Sequence, residues 1–588
     1  MARRRQNLIG GAMTLSIAAL VVHLFGLVFK IYVTEKLGPV ARGYYAAAYN
    51  LYTPIYSIAV SGLPVAVSTL VSRYAALDRF RDVVRVHKLS VRLFFIVGLA
   101  ATAVMAGLAY PFTHYVTHVP NALPATLALT PAVLLCCLIS AYRGYFAGLK
   151  NMWPHGISQV VEAVFKLFFG FVFVHIILAY SESAFANGKA VFGVVCSTHE
   201  QMLGVMWPYA AAAAIFGVSL ASLMALIYML IRYKSGSGVT EEELERSPLA
   251  AKDGYLTKQI FSIAVPVVIS SLITNVSLLV DVSTIQNRLY YAVSGNLGFF
   301  RTTYAAELLA GKVADSEINT FLYGVFDYTQ DIENLVPNIT VTLGLAALPI
   351  LSEAWTVKNL RDTADGVNSV LRLCTIIALP SGLGVAAIAD ELLTLLYGDT
   401  AGISIAAPIL EVYGCSMLFI SISQPITSML QAVGRLKVPI IATVFGILAK
   451  IGCNLLFVGV PELNILGAAF GTAACYIIIT AISLSALINA TGVRVDWKTV
   501  LIKPALCSIV STAACYGAYF LFKKLLPDSL SGARFNQSTV AALFGIVFAV
   551  VFYVLALVLT RTLTSYDVKM LPKGEKIEKT LAKHGLIG

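Results

Sequence analysis

Charged residues are scarce in this sequence. Of its 588 residues, only 12% are Asp, Glu, Lys or Arg and 58% are hydrophobic, whereas about 25% of the residues in a soluble domain are charged. This shortage excludes an ordinary soluble protein. The formal net charge of +11 does not indicate a nucleic-acid partner, because the basic residues fall in short loops between apolar segments, where they orient a membrane protein.

Enzyme motifs are also missing. The sequence has no GxxxxGK[ST] phosphate loop, no GxSxG nucleophile elbow and no HExxH zinc motif, which argues against an ATPase, a serine hydrolase or a zinc protease. The nine cysteines are scattered, which is typical of buried thiols rather than of a disulfide framework or a metal site. We therefore predict no cofactor and no catalytic residues.

Long apolar segments recur along the whole chain. A helix needs about 20 apolar residues to cross a bilayer, and these segments lack the period-two alternation of transmembrane strands. We therefore predict an all-α integral membrane protein with about 14 transmembrane helices. The predicted spans lie at about 8–33, 44–70, 89–110, 123–148, 157–179, 206–231, 260–285, 322–355, 370–397, 403–432, 438–460, 464–489, 500–522 and 538–561.

Two halves of the chain repeat the same pattern. Arg81 and Asp82 recur 280 residues later as Arg361 and Asp362, and a repeat of this size indicates duplicated architecture. Six spans in each copy make the halves parallel, related by an axis along the membrane normal. Most of the 42 Lys and Arg residues lie on the inner side if the N-terminus is inside, so we predict that both termini are cytoplasmic.

The repeat suggests a division into five segments. We expect an N-lobe at 1–235, a cytoplasmic linker at 236–258, a C-lobe at 259–490, two extra helices at 491–562 and a basic cytoplasmic tail at 563–588. The linker is rich in Ser, Gly and Glu, and we expect it to be mobile.

Charged residues inside predicted spans are the first candidates for a site, because a charge at bilayer depth is costly and usually marks a substrate or ion pathway. Lys30 shares a helix face with His23, seven residues earlier. It either faces a cavity, where it would meet an anionic group, or extends to the membrane interface. Aligning the seventh span on the first places Asp281 opposite Lys30, so that these two side chains could pair or flank a charged ligand.

The fifth span carries a second charged pair. Glu162 and Lys166 are four residues apart, a spacing that lets them form an ion pair on one helix face. They are either such a structural pair or part of a ligand site. Lys450 occupies the repeat-equivalent place of Lys166 in the eleventh span, where no acidic residue lies four positions away in the sequence.

Two further stripes follow helical spacing. Asp327, Asp331 and Asn334 form a polar stripe on the eighth span, which lines a cavity or makes packing contacts between helices. Tyr49 belongs to an aromatic stripe on the second span. Such a stripe serves packing, an interfacial belt or stacking against sugar rings.

Several segments resemble a known family of exporters. They are LFGLVFK ending at Lys30, YNLYTPIYSIAVSGLPVAVS starting at Tyr49, YRGYFAG starting at Tyr142 and VDVSTIQNRL starting at Val280. With two six-span halves and two trailing spans, the chain resembles the multidrug/oligosaccharidyl-lipid/polysaccharide (MOP) exporter superfamily. Within it, these segments look like the branch of stage V sporulation protein B and the lipid II flippases.

This resemblance implies a function. It implies a flippase of the bacterial cell membrane that moves an undecaprenyl-pyrophosphate-linked saccharide, above all lipid II, to the outer leaflet for peptidoglycan synthesis. It assigns the cavity cation to Lys30 and a groove for the polyprenyl tail to the last two spans. Related flippases of Gram-negative bacteria have an arginine-rich cavity, whereas this chain offers His23 and Lys30, and lysine cannot make the bidentate contacts of arginine.

The expected mechanism is alternating access between the two lobes. A polar cavity would hold the headgroup, because a pyrophosphate sugar cannot enter hydrocarbon unaided. Na⁺, H⁺ or the membrane potential could drive the cycle, with Asp281, Asp327 and Asp331 as candidate ion carriers. The expected partners are the lipid substrate, membrane lipids and the cell-wall synthesis machinery, with the protein itself a monomer. The alternatives are an exporter of another lipid-linked polysaccharide unit, a cation-coupled multidrug antiporter and a membrane-embedded transferase.

Overall fold

The computed structural model describes residues 8–57, 62–236, 238–527, 529–562 and 564. Helices dominate these residues, which contain no strand beyond two isolated bridges. The prediction of an all-α protein is confirmed for this part of the chain. The basic tail expected at 563–588 lies, except for residue 564, outside the described residues.

The helices form two compact units. Unit 1 comprises the described residues within Met1–Val293 and Leu297–Gly324, and unit 2 those within Ser294–Asn296 and Val325–Gly588. The helices that begin in unit 1 are α1 Leu8–Ser57, α2 Leu63–Ala76, α3 Phe80–Pro111, α4 Leu123–Gly148, α5 Trp153–Ala186, α6 His199–Lys234, α7 Glu241–Arg246, α8 Asp253–Gly295, α9 Leu297–Thr303, α10 Ala305–Ala310 and α11 Ile318–Glu333. Those that begin in unit 2 are α12 Leu335–Thr356, α13 Leu360–Ala387, α14 Ala389–Tyr397, α15 Ile403–Ala432, α16 Lys437–Cys453, α17 Leu466–Thr491, α18 Lys503–Leu525 and α19 Gln537–Leu559.

Eleven helical segments among the described residues are long and apolar enough to cross a membrane. One of them, Ala18–Ser57, contains the later part of the first predicted span and the start of the second. Helices α8, α11 and α12, which correspond to the seventh and eighth predicted spans, are not among the eleven. The chain is therefore a multi-pass membrane protein, and the count of about 14 spans stays a prediction, as do the repeat and the orientation.

The first two predicted spans are joined without a loop. Gly38 has φ 75° and ψ 177°, and this one non-helical residue divides α1 into two helical parts. A positive φ favours glycine, and Pro39 after it lacks the N–H group that would continue the helical hydrogen bonds. The structure therefore has a bend at Gly38, between two helical parts, where a loop was predicted between residues 33 and 44.

Glycines bring α5 close to its neighbours in unit 1. A Cβ atom on Gly170 of α5 would lie 2.2 Å from the Phe29 ring of α1, and one on Gly217 of α6 would lie 2.8 Å from the Gly170 amide nitrogen. Any larger side chain would force the helices apart. This close packing positions the charged residues of α5 against α1, α4 and α6.

The described part of the linker is attached to unit 1. The Arg81 guanidinium donates its Nε–H to the Leu244 carbonyl at 2.9 Å. The buried Asp82 carboxylate accepts the Ala251 N–H at 2.7 Å. These contacts join α7 and the segment after it to the start of α3, and the mobility expected of the linker stays a prediction.

Helix α8, the seventh predicted span, packs within unit 1. Its first residue, Asp253, accepts two hydrogen bonds of 2.6 Å from the Arg85 guanidinium. Leu256 and Ile260 are buried in a hydrophobic cluster with residues of α2, α3 and α4. By packing, α8 therefore belongs with the first six predicted spans, although the repeat assigns it to the second half. The lobe limits expected from the repeat stay a prediction.

Candidate substrate site

Four tyrosines lie in a stripe along the second part of α1. Their ring centroids are 4.7 Å apart for Tyr45 and Tyr49, 5.8 Å for Tyr49 and Tyr52, and 5.1 Å for Tyr52 and Tyr56. Tyr45 and Tyr52 are buried, whereas Tyr49 and Tyr56 are half-buried. Of the four rings, Tyr49 and Tyr56 thus retain surface that a ligand can reach.

Lys166 of α5 reaches this stripe. Its ammonium group donates to the Tyr49 hydroxyl at 3.1 Å. It also lies 5.2 Å from the centroid of the Tyr49 ring and 5.3 Å from that of Phe29. A cation within about 6 Å of an aromatic face is stabilised by the ring quadrupole, so α1 holds the charge of Lys166 in place.

Glu162 pairs with a different cation from the one that its spacing suggested. Its carboxylate accepts a hydrogen bond of 3.0 Å from the Arg143 guanidinium of α4 and another of 3.0 Å from the Ser222 hydroxyl of α6. The Arg143 Nε–H donates to the Ser158 hydroxyl at 2.9 Å. Glu162 therefore forms its ion pair with Arg143 rather than with Lys166, which points to Tyr49. The other alternative for the two residues, a ligand site, stays a prediction.

Arg42 is a buried cation that the sequence analysis missed. Its side chain is 0% exposed, its Nη1 lies 3.5 Å from the Lys30 carbonyl, and its guanidinium lies 5.6 Å from the Tyr45 ring centroid. The predicted spans placed residue 42 in a loop, so it was not considered. The signal was present in the sequence, because Arg42 directly precedes the tyrosine-rich part of α1.

The predicted pair of the first and seventh spans lies entirely in unit 1. Lys30 is half-buried, His23 is exposed and Asp281 of α8 is 8% exposed. The Lys30 carbonyl also accepts the Thr34 hydroxyl at 2.9 Å. A direct pairing of the Lys30 ammonium with Asp281 stays a prediction, as does a cavity role for either residue.

The predicted polar stripe of the eighth span lies in unit 2. Asp331 is 7% exposed, and its carboxylate accepts a hydrogen bond of 3.4 Å from the Tyr397 hydroxyl of α14. Asp327 is half-buried. Asn334 is exposed at the break between α11 and α12, where its side-chain amide donates to the Gln330 carbonyl at 2.8 Å.

Lys450 is half-buried near the end of α16 in unit 2. Its role in a site stays a prediction. Across the described residues, no group of three or more His, Cys, Asp or Glu side chains could hold a metal ion.

The arrangement around α5 is suited to binding an anion. We call Arg143, Glu162, Lys166 and Tyr49 the polar cluster. It contains two cations, Arg143 and Lys166, and one carboxylate, Glu162, which leaves one positive charge in excess. Glu162 neutralises Arg143, so Lys166 carries this excess beside a tyrosine ring. A positive charge next to an aromatic ring fits a ligand that combines anionic groups with sugar faces.

Comparisons with known proteins agree with this architecture. A family model described as "Lipid II flippase MurJ" matches residues 323–535, and one described as "Polysaccharide biosynthesis protein" matches residues 8–198. Stage V sporulation protein B of Bacillus subtilis (strain 168) is 24% identical over 519 residues, which are 87% of this chain and 89% of that protein.

Two solved structures share the fold. One of lipid II flippase MurJ in an inward closed conformation gives a TM-score of 0.61 at 13% identity, covering 93% of this chain and 99% of that chain. One of a multidrug resistance MATE family transporter of the MOP superfamily, in an inward-facing conformation, gives 0.56 at 15% identity, covering 81% of this chain and 98% of that chain. The chain is thus similar to a lipid II flippase family and a polysaccharide biosynthesis family, each over about a third of its length, and it shares the fold of lipid II flippase MurJ and of a MATE transporter of the MOP superfamily. It is a multi-pass protein of the bacterial membrane, and transporters are among the known proteins that it resembles.

Proposed function

We propose that this protein is a flippase of the MOP exporter type that moves an undecaprenyl-pyrophosphate-linked saccharide, lipid II first of all, from the inner to the outer leaflet. The observation that carries the proposal is the polar cluster of unit 1, where Lys166 contributes an excess positive charge beside Tyr49. The family model and the solved structure named for the lipid II flippase MurJ support the same substrate class.

The headgroup of such a substrate explains why the cluster is cationic. A pyrophosphate cannot cross hydrocarbon without polar partners, because desolvating its charges is prohibitive. The Lys166 ammonium has three N–H donors, and Tyr49 accepts one of them. A second N–H can therefore donate to a phosphate oxygen, while the Tyr49 ring stacks against a sugar.

The lipid tail would stay outside the polar cluster. Helices α18 and α19, beyond the six-span repeats, expose apolar side chains such as Phe520 at 63% and Val551 at 50%. These surfaces suit contact with hydrocarbon chains. We propose that the polyprenyl chain follows these helices in the bilayer while the headgroup crosses, which is the role that the resemblance assigns to the last two spans.

Three acidic residues are candidates for coupling transport to a driving force. Asp281 in unit 1 and Asp331 in unit 2 are buried acids, and Asp327 is half-buried. Buried acids of membrane transporters commonly carry protons or bind Na⁺. We propose that a cation or the membrane potential acts through these three residues.

Transport by the purified protein tests the proposal. The full chain is reconstituted in liposomes with fluorescent lipid II, and a membrane-impermeant reductant reports which leaflet the fluorophore occupies. Replacing a charged hydrogen-bond donor removes about 1.5–3 kcal/mol, so Lys166→Ala should slow flipping by about 10- to 100-fold. Lys166→Arg should keep part of the rate, and the exposed Lys189→Ala should match the wild type.

Two results would count against the proposal. A wild-type rate for Lys166→Ala would remove the polar cluster from the transport path. A wild-type protein that moves no polyprenyl-pyrophosphate saccharide would contradict the function itself. A polyprenyl pyrophosphate with a different glycan, tested in parallel, addresses the second candidate, which is export of another lipid-linked polysaccharide unit. The polysaccharide biosynthesis model that matches residues 8–198 favours this candidate.

A further inference from the structure

A groove opens on the surface of unit 1, away from the polar cluster. It has a volume of about 530 Å³ and lies between α3, α4 and α6. Phe95, Leu138 and Leu230 are among the apolar side chains that line it, and Arg92 is its one charged lining residue. This volume falls in the range of about 300–1,000 Å³ that is usual for small-molecule sites. The apolar wall excludes a hydrophilic ligand.

The same surface is covered in unit 2. At the repeat offset of 280, Arg92 corresponds to Arg372 and Phe95 corresponds to Thr375. Arg372 is 6% exposed and donates to the Thr499 hydroxyl at 3.3 Å. The Thr375 hydroxyl donates to the Val500 carbonyl at 2.5 Å. The segment that leads into α18 therefore occupies, in unit 2, the surface that is an open groove in unit 1.

The covering segment shows what such a surface accepts. Val500 is 2% exposed and packs in a hydrophobic cluster with Leu371 of α13, Ile426 of α15 and Leu487 of α17. Next to this apolar contact, the hydroxyl oxygen of Thr499 accepts a hydrogen bond from Arg372. The repeated surface thus binds an apolar group together with an adjacent oxygen acceptor.

The basic residues at the mouth of the unit 1 groove favour a negatively charged group as the hydrogen-bond acceptor. Arg92 is exposed, and Lys88, one helical turn earlier on α3, is exposed as well. The inner loops carry the excess of Lys and Arg, so this end of α3 faces the cytoplasmic leaflet in the predicted orientation. Anionic lipids are attracted to basic residues at this depth.

We propose that the groove between α3, α4 and α6 binds an anionic phospholipid of the cytoplasmic leaflet. One acyl chain lies between Phe95, Leu138 and Leu230, and the phosphate accepts hydrogen bonds from Arg92. This site is separate from the proposed transport path, because the lipid stays in its leaflet and none of the groove residues belongs to the polar cluster.

Site-specific photocrosslinking tests the proposal. The full chain carries p-benzoylphenylalanine in place of Phe95 and is placed in nanodiscs of phosphatidylglycerol and phosphatidylcholine in equal amounts, with matched acyl chains. Mass spectrometry then identifies the lipid adduct. One basic residue near the surface should favour phosphatidylglycerol by about fivefold, so that its adducts outnumber those of phosphatidylcholine by about 5 to 1 in a bilayer that holds both lipids equally. The same label at Leu108, which is exposed on α3 but outside the groove, should give adducts in the bilayer ratio.

Three variants sharpen the result. Arg92→Gln should bring the ratio at position 95 back to that of the bilayer, whereas Arg435→Gln, which removes an exposed cation of unit 2, should leave the enrichment unchanged. Leu138→Trp should fill the groove and lower the adduct yield at position 95 but not at position 108. Adducts at position 95 in the bilayer ratio would overturn the proposal. Crosslinks to a peptide of this chain or of a second copy would also overturn it, because protein would then occupy the groove.

Discussion

The fifth and eleventh predicted spans, α5 and α16, occupy equivalent places in the predicted repeat, but they contact their neighbouring helices in different ways. At an offset of 284 residues Lys166 corresponds to Lys450, and Glu162 corresponds to Gly446. In unit 1, Glu162 connects α5 to α4 through Arg143 and to α6 through a serine hydroxyl. The first half of the chain therefore places a polar network where the second half has no side chain at all.

The second half uses that position for close packing. A Cβ atom on Gly446 would lie 2.6 Å from the Ile479 side chain and 3.0 Å from the Cys475 carbonyl of α17. At the position of Glu162, α5 of unit 1 is therefore joined to its neighbours by hydrogen bonds, whereas α16 of unit 2 packs directly against α17 at Gly446. The difference explains why the polar cluster has no counterpart in unit 2 at this contact.

Removing the Glu162 carboxylate should lower the stability of the protein more than the other changes considered below. In Glu162→Ala the mostly buried Arg143 loses its carboxylate, and an uncompensated charge of this kind costs about 3 kcal/mol. Thermal unfolding in detergent measures the loss. Glu162→Gln retains a hydrogen-bond acceptor and should lose less, whereas Glu182→Ala removes an exposed carboxylate of the same helix and serves as the control. An unchanged melting temperature for Glu162→Ala would show that the network does not hold α4, α5 and α6 together.

Enlarging Gly446 should destabilise unit 2 through overpacking. Gly446→Ala forces α16 away from α17, which costs about 1–3 kcal/mol. Gly452→Ala is the matched control, because a Cβ atom there meets nothing within 4 Å. Both variants are compared by the same unfolding assay. Equal stabilities of the two variants would mean that the helices can move apart at Gly446 without cost. The direct contact of α16 with α17 would then not distinguish unit 2 from unit 1.

Arg92 and Arg372, which correspond to each other in the predicted repeat, should differ in the same assay. Arg372→Ala removes hydrogen bonds of a buried side chain to Thr499 and Thr564, for an expected loss of about 1–2 kcal/mol. Arg92→Ala removes an exposed side chain and should change stability by less than about 0.5 kcal/mol. If Arg92→Ala were the more damaging variant, the groove of unit 1 could not be an open surface.

The smallest effect concerns pH. Hydrogen bonds from Arg85 lower the pKa of the Asp253 carboxyl below its ordinary value. A group whose folded pKa is lowered stabilises above its unfolded pKa, about 3.9 for Asp, and this contribution is lost as the pH falls through the folded value. The attachment of α8 to α3 should therefore be constant from neutral pH to about pH 4 and weaken below it.

Hydrogen exchange at residues 239–252, corrected for the intrinsic pH dependence of exchange, measures this attachment. In Asp253→Asn, the amides of residues 239–252 should exchange faster at neutral pH than in the wild type. The increase in exchange below about pH 4 should be absent. A wild-type profile in that variant would assign the attachment to the other linker contacts, such as that of Asp82 with Ala251.

Sequence patterns predicted the long helices better than their connections. The spans expected at about 123–148 and 403–432 coincide with α4 and α15, because their apolar runs end where turn residues follow. The bend at Gly38 was predicted as a loop, since one residue with a positive φ leaves little trace in composition. The attached linker was also missed, because its polar sequence looks the same whether it is solvated or bound to Arg81.

The charged residues of the site were found, but their partners were not. Spacing along one helix identified Glu162 and Lys166 as interacting candidates, yet each has its partner on another helix, Arg143 and Tyr49. The position of a neighbouring helix is set by tertiary packing, which the local spacing of residues does not contain. Arg143 was visible only as part of a family-like segment, so its role emerged from the structure.

The bend at Gly38 also bears on how the protein is made. Because only one residue interrupts the helix between the first two predicted spans, no separate loop has to cross the bilayer when they insert, and the polar part at the bend is short, with Glu35 and Lys36 exposed. A nascent chain of this kind can leave the translocon as a closed helical hairpin, with both spans entering the lipid together. Biogenesis of the first pair of spans would then be a single cooperative insertion event.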